Sequence, residues 1–221
     1  MAEVYQTIRF QIPVLSKEGA VTTEIFEPDS PTAALVIGHG AGSNLDQPFL
    51  KQLSVALARQ GIITIRFNFL YSELKKKMPD RFPAAAAVIR TVLQEAHRRY
   101  GDLPLFGGGK SFGGRMTSMT LAHDGDPRVK GIVFLGFPLH PSGSPSVERA
   151  AHLQNLSVPL LFLQGTRDAL ATPELLRPEV AKLANAVLIE YQGADHSFKG
   201  GKQASVDNIA SAIASWIKDH T

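Results

Sequence analysis

The sequence predicts a mostly parallel, doubly wound α/β sheet with helices on both faces. Three observations predict it. Short, nearly continuous apolar runs recur from residue 33 onward, amphipathic stretches of helical length separate them, and Gly or Pro marks many of the joints. Runs that are apolar at almost every position suit strands covered on both faces, and strand–helix alternation suits parallel pairing. The 221 residues are 44% hydrophobic and 19% charged, enough for one domain with a continuous core and too apolar for disorder.

Taken in order, Tyr5–Val14 and Val21–Glu27 alternate as strands, with Ser16–Gly19 as their turn. The apolar strands follow at Ala33–Ile37, Ile62–Phe67, Leu103–Phe106, Val129–Phe134, Val158–Leu163 and Ala186–Tyr191. Helices are predicted at Gln47–Arg59, Ala84–Tyr100, Ser111–His123, Glu174–Leu183 and Val206–Lys218. Pro83 and Gly101 bracket the second of these as start and stop signals. Pro178 inside the fourth predicts a kink or an early end. The last places Ile209, Ile213, Trp216 and Ile217 on one face, the spacing of a helix packed on a sheet.

Composition also excludes function classes. There is no cysteine, hence no disulfide, thiolate nucleophile or thiolate-bound metal. A net charge of +3 gives no electrostatic case for a nucleic-acid partner. The first residues are polar, unlike a secretory signal, and the longest apolar run, Phe82–Ile89, is far short of a membrane span. The expectation is a cytoplasmic protein without membrane or nucleic-acid partners.

In a doubly wound sheet, ligands sit beyond the carboxyl ends of the strands, so chemistry is sought in the loops after them. After Leu103–Phe106 comes Gly107-Gly108-Gly109-Lys110-Ser111-Phe112-Gly113-Gly114, which contains Gly-x-Ser-x-Gly and opens a helix. A serine on so tight a turn is strained and needs small neighbours two residues away on either side, here Gly109 and Gly113. The alternatives are a glycine-rich connection without chemistry, or a phosphate-cradling loop. The latter wants a glycine at the position that Pro104 occupies.

A serine hydroxyl needs a base. Of seven histidines, His196 lies in Gly193-Ala194-Asp195-His196-Ser197-Phe198, after the last strand and before the last helix. His140 and His152 stay open as substrate contacts, and His39 reads as a structural residue of its loop. The base in turn needs a carboxylate, and Asp168 follows Val158–Leu163 in Gly165-Thr166-Arg167-Asp168. Asp195 competes for that role, and Arg167 offers Asp168 a plain ion pair instead. Oxyanion donors are expected from the Phe112 N–H and from the Ala41 N–H in Gly38-His39-Gly40-Ala41-Gly42. Leu70, Phe112, Phe137, Leu170 and Phe198 are candidate pocket walls, each equally placed to be core.

His39-Gly40-Ala41-Gly42, Gly109-Lys110-Ser111-Phe112-Gly113-Gly114-Arg115, Gly165-Thr166-Arg167-Asp168 and Asp195-His196-Ser197-Phe198 together resemble the α/β-hydrolase superfamily. The nucleophile motif and Arg66-Phe67-Asn68-Phe69 resemble short predicted hydrolases of its dienelactone-hydrolase-like branch. Dienelactone hydrolases proper use a cysteine nucleophile, which this chain lacks. The resemblance implies an α/β-hydrolase fold that cleaves a small-molecule acyl substrate through Ser111, Asp168 and His196, with no metal or organic cofactor. Only about twenty residues separate Val129–Phe134 from the next strand, too few for a cap domain. Two rival readings remain. One is a non-catalytic interaction protein on the same fold, and the other is RNA binding through Lys75-Lys76-Lys77, which lacks an aromatic platform.

Overall fold

The computed structural model describes residues 5–15 and 19–221. Eight strands form one sheet: β1 (Tyr5–Pro13), β2 (Ala20–Pro28), β3 (Ala33–Gly38), β4 (Ile62–Phe67), β5 (Leu105–Lys110), β6 (Val129–Leu135), β7 (Leu160–Gly165) and β8 (Ala186–Tyr191). Their order is β1-β2-β4-β3-β5-β6-β7-β8. β1 pairs with β2 and β2 with β4 antiparallel, and every other pairing is parallel. The turn read at Ser16–Gly19 lies, except for Gly19, outside the described residues.

The helices are α1 (Pro48–Ala58), α2 (Leu70–Glu73), α3 (Phe82–Tyr100), α4 (Phe112–Asp124), α5 (Pro173–Ala181) and α6 (Val206–Lys218). Strand alternation sorts the core into two layers. Ala33, Leu35 and Ile37 of β3 and Leu161 and Leu163 of β7 face α1 and α6, where Ile209, Ile213, Trp216 and Ile217 pack together. Ala34, Val36, Leu160 and Phe162 point the other way, among side chains of α3, α4 and α5. Among the described residues, no helix is long and apolar enough to cross a membrane.

Several boundaries differ from the sequence reading. β5 begins at Leu105 and runs through Gly107, Gly108 and Gly109 to Lys110, where the sequence predicted a loop after Phe106. Glycines carry no side-chain pattern, so a strand of them is silent to periodicity. Packing supplies the reason for them: a Cβ at Gly108 would collide with the Val133 carbonyl, and one at Gly113 with the Gly38 backbone. β7 is displaced two residues toward the C-terminus of the predicted run, and α5 ends at Ala181, not Leu183, with Pro178 inside it. Neither α2 nor the 3-10 helix Glu148–Asn155 was anticipated. That 3-10 helix is the only helix between β6 and β7, so no cap domain covers the sheet's carboxyl rim.

Candidate active site

Ser111 links β5 to α4 as the N-cap of the helix, with φ 51° and ψ −112°. A positive φ is strained for any residue with a Cβ, and a buried neighbourhood has to hold it there. Two contacts do so: the Ser111 N–H donates to the Leu135 carbonyl at 3.1 Å, and its own carbonyl accepts from Arg115 N–H at 3.0 Å. Helix α4 can start this close to β3 only because residue 113 is glycine.

At the same rim, the loops after β7 and β8 are stitched together by Arg167 N–H to the Ala194 carbonyl (2.9 Å) and Gly193 N–H to Thr166 Oγ1 (2.9 Å). That stitching presents His196 Nδ1 to Asp168 Oδ2 at 2.6 Å. The Asp168 side chain is fully buried, and that of His196 is a quarter exposed. Gln164 Nε2 donates to the same Oδ2 at 2.6 Å, and Leu170 N–H donates to Oδ1 at 2.8 Å. Both Asp168 oxygens are therefore held, Oδ2 by Gln164 and Oδ1 by the Leu170 N–H, which fixes the acceptor that the imidazole meets. Asp195 is engaged elsewhere: its Oδ1 caps the Ser197 and Lys199 N–H groups, which hold the carboxyl below its ordinary pKa. Arg167 makes no ion pair with Asp168 among the described residues.

Lys110, the residue before the serine, and His196 meet beside Gly136. An added Cβ at Gly136 would lie 3.1 Å from Lys110 Nζ and 3.4 Å from the His196 ring. Among the described residues no hydrogen bond joins Ser111 Oγ to His196, although Lys110, next to the serine, donates to the His196 carbonyl at 2.6 Å. Such a bond is often long before substrate arrives.

On the opposite side runs the loop after β3. A Cβ at Gly40 would stand 3.8 Å from Ser111 Cβ, so this loop borders the serine. Phe69 N–H donates to His39 Nε2 at 3.3 Å, so the proton sits on Nδ1, which donates to the Gly40 carbonyl at 2.9 Å. Burial drives the His39 pKa down to about 4, which keeps that neutral tautomer. Tyr71 OH donates to the same carbonyl at 3.2 Å, and Asn68 Oδ1 accepts the Leu45 N–H at 2.7 Å. Beneath them the buried Arg66–Glu24 pair also reaches the Leu45 carbonyl. A planar trans peptide points its N–H opposite its C=O. With the Gly40 carbonyl tied to His39 and Tyr71, the Ala41 N–H faces away from them. Neither Ala41 N–H nor Phe112 N–H bonds to another described residue.

A family model described as the alpha/beta hydrolase domain matches residues 31–219. The chain belongs to the α/β-hydrolase family. Its fold is similar to that of a dienelactone hydrolase from Anabaena variabilis, with a TM-score of 0.80 at 16% identity, over 98% of this chain and 99% of that one. An alpha-beta serine hydrolase homologue from Coxiella burnetii gives 0.78 at 19% identity, over 95% of this chain and 97% of that one. A cold-adapted esterase from an Arctic intertidal metagenomic library gives 0.73 at 16% identity, over 100% and 96%. The fold is that of the dienelactone-hydrolase-like branch, without a cap.

The candidate pocket walls divide. Leu70, Phe112 and Leu170 are partly exposed in this α/β-hydrolase, with the Phe112 ring edge-on to Phe69 at 5.1 Å. Phe137 and Phe198 are corrected to core: Phe137 is 1% exposed against Phe134 and Phe162, and Phe198 is stacked on Phe49 at 5.5 Å. An aromatic near a strand end goes wherever apolar volume is unfilled, and here that is inward. His140 is buried, donating to the Pro141 carbonyl, and His152 meets Ser118 Oγ at 2.7 Å. Burial lowers the His152 pKa to about 4.

Sequence reasoning missed Gln164, Tyr71 and Lys110. Gln164 left a signal as the polar residue ending an apolar run four positions before Asp168. Lys110 left another, a charge standing between a run of glycines and the serine.

Proposed function

We propose that the chain is a serine hydrolase that cleaves a carboxylic ester or thioester through an acyl-enzyme on Ser111. The observation that carries this reading is the 2.6 Å hydrogen bond from His196 Nδ1 to buried Asp168, formed at the rim where strained Ser111 stands. Asp168 fixes the tautomer that leaves Nε2 free to accept a proton. As Ser111 Oγ attacks the acyl carbon, its proton passes to Nε2, and the carbonyl π pair moves onto oxygen. The N–H groups of Phe112 and Ala41 are the donors for that oxyanion. When the tetrahedral adduct collapses, the bond to the leaving oxygen or sulfur breaks and His196 supplies its proton. Water then repeats the cycle and releases the acid. Leu70, Phe112 and Leu170 offer apolar surface to the acyl chain, and the uncapped rim favours small or accessible esters.

A fluorophosphonate probe tests this directly. Labelling of folded wild-type protein that disappears in Ser111→Ala is the expected result, followed by turnover within a panel of p-nitrophenyl esters and acyl thioesters of graded length. The rival reading, a non-catalytic interaction protein, draws on the missing Ser111–His196 hydrogen bond. Wild-type protein that is folded and stays unlabelled would establish that rival.

A further inference from the structure

Lys110 is the residue before the serine and the last of β5, and it is only 5% exposed. Its ammonium has three donors, and a buried charge without an ion pair is costly. An apolar side chain of similar length would pack there at lower cost. Instead, among the described residues, Nζ makes one hydrogen bond, 2.6 Å long, to the main-chain carbonyl of His196. It lies 5.7 Å from the centre of the Phe198 ring, two residues further on, where the backbone takes φ 62°. Gly136 is what leaves room for ammonium and imidazole side by side.

We propose that Lys110 is a positioning residue for the base, holding the His196 main chain so that the imidazole stays aligned between Asp168 and Ser111. This rests on the serine-hydrolase reading above. A histidine side chain has two torsions between backbone and ring, so tying Nδ1 to Asp168 alone leaves the ring free to swing about that bond. Anchoring the carbonyl of the same residue removes the freedom. The anchor is charge-assisted, and so stronger than one between neutral groups.

The anchor is also sensitive to alkali. Burial lowers the Lys110 pKa to about 8, against the opposing pull of Asp168 and Asp195. Those carboxylates and the His196 imidazole are the titratable groups that face it, from the loops after β7 and β8. The neighbouring glycines of β5 and Gly136 after β6 bring none. Above about pH 8 the amine is neutral and the hydrogen bond weakens, so turnover falls where an ordinary serine–histidine pair stays on its plateau.

The experiment compares wild type with Lys110→Met from pH 6 to 9.5, using p-nitrophenyl acetate for kcat and KM and a fluorophosphonate for the rate of serine labelling. At pH 7 the variant is expected to lose about 10- to 100-fold in kcat and labelling rate, with KM changed by less than about twofold. Wild-type kcat descends above about pH 8, and the variant shows no descent. A folded variant with wild-type kcat, or with the same alkaline descent, overturns the proposal, because a merely space-filling lysine would give that result. Should Lys110→Met fail to fold, Lys110→Gln keeps an N–H donor without the charge, and an unchanged alkaline descent there is equally fatal. Wild-type protein that is never labelled would instead sink the serine-hydrolase reading itself.

Discussion

Two loop systems flank Ser111, and they are held by opposite means. On the side of the proposed base, the working group is a side chain, aimed by Asp168, which Gln164 and the main-chain N–H of Leu170 orient in turn. On the side of the proposed oxyanion donor, the working group is a backbone N–H, which has no side chain to steer. There the fold grips the other end of the peptide, with His39 and Tyr71 on the Gly40 carbonyl. The difference teaches that a main-chain donor is aimed by fixing its partner carbonyl, and that a residue can matter without facing substrate.

The comparison breaks hardest at Asp168. Asp168→Asn should leave the fold intact and lower kcat by roughly 10⁴-fold, since the amide can donate to Nδ1 and leave the proton on Nε2. Steady-state kinetics beside circular dichroism would check it, and a loss below tenfold would remove Asp168 from the mechanism.

Acid attacks the other side. With its folded pKa near 4 and an unfolded value near 6.5, His39 stays neutral in the native state while the unfolded chain takes up a proton. Its contribution is therefore complete above pH 6.5 and is lost as pH falls from 6.5 toward 4. The magnitude is on the order of 3 kcal/mol. Urea unfolding at pH 7.5 and 4.5 would measure it, with His39→Asn giving the flatter slope. Equal slopes would deny His39 its buried neutral state.

Gln164→Leu sharpens the base side alone. It removes a donor to Asp168 and an acceptor for the Phe137 N–H, and should cost about tenfold in kcat. The smallest effect belongs to Tyr71→Phe, which leaves His39 and the Ser43 N–H on the Gly40 carbonyl. A loss of roughly three- to tenfold in kcat with unchanged KM is expected. If KM rises instead, Tyr71 serves binding and not the oxyanion peptide.

Much of this was legible beforehand, for reasons that particular residues show. The face of α6 was readable because helical periodicity repeats over thirteen residues. The rim was readable because each candidate follows an apolar run, and topology then brings the ends of parallel strands together. β5 was misread because glycines have no pattern to display. Phe137 and Phe198 were misplaced because nothing local says whether an aromatic faces a cleft or fills a gap.

Local chemistry thus determined the layered architecture, the tight turn at Ser111 and the residue types that the proposed acyl transfer would use. Tertiary structure alone decided which carboxylate His196 meets, which carbonyl Lys110 and Tyr71 hold, and which aromatics turn inward. The physical reason is range. Periodicity and turn strain act over a few residues, whereas the contacts from Lys110 to His196 and from Tyr71 to Gly40 span 86 and 31 positions. Only the packed sheet brings such groups within reach of one another.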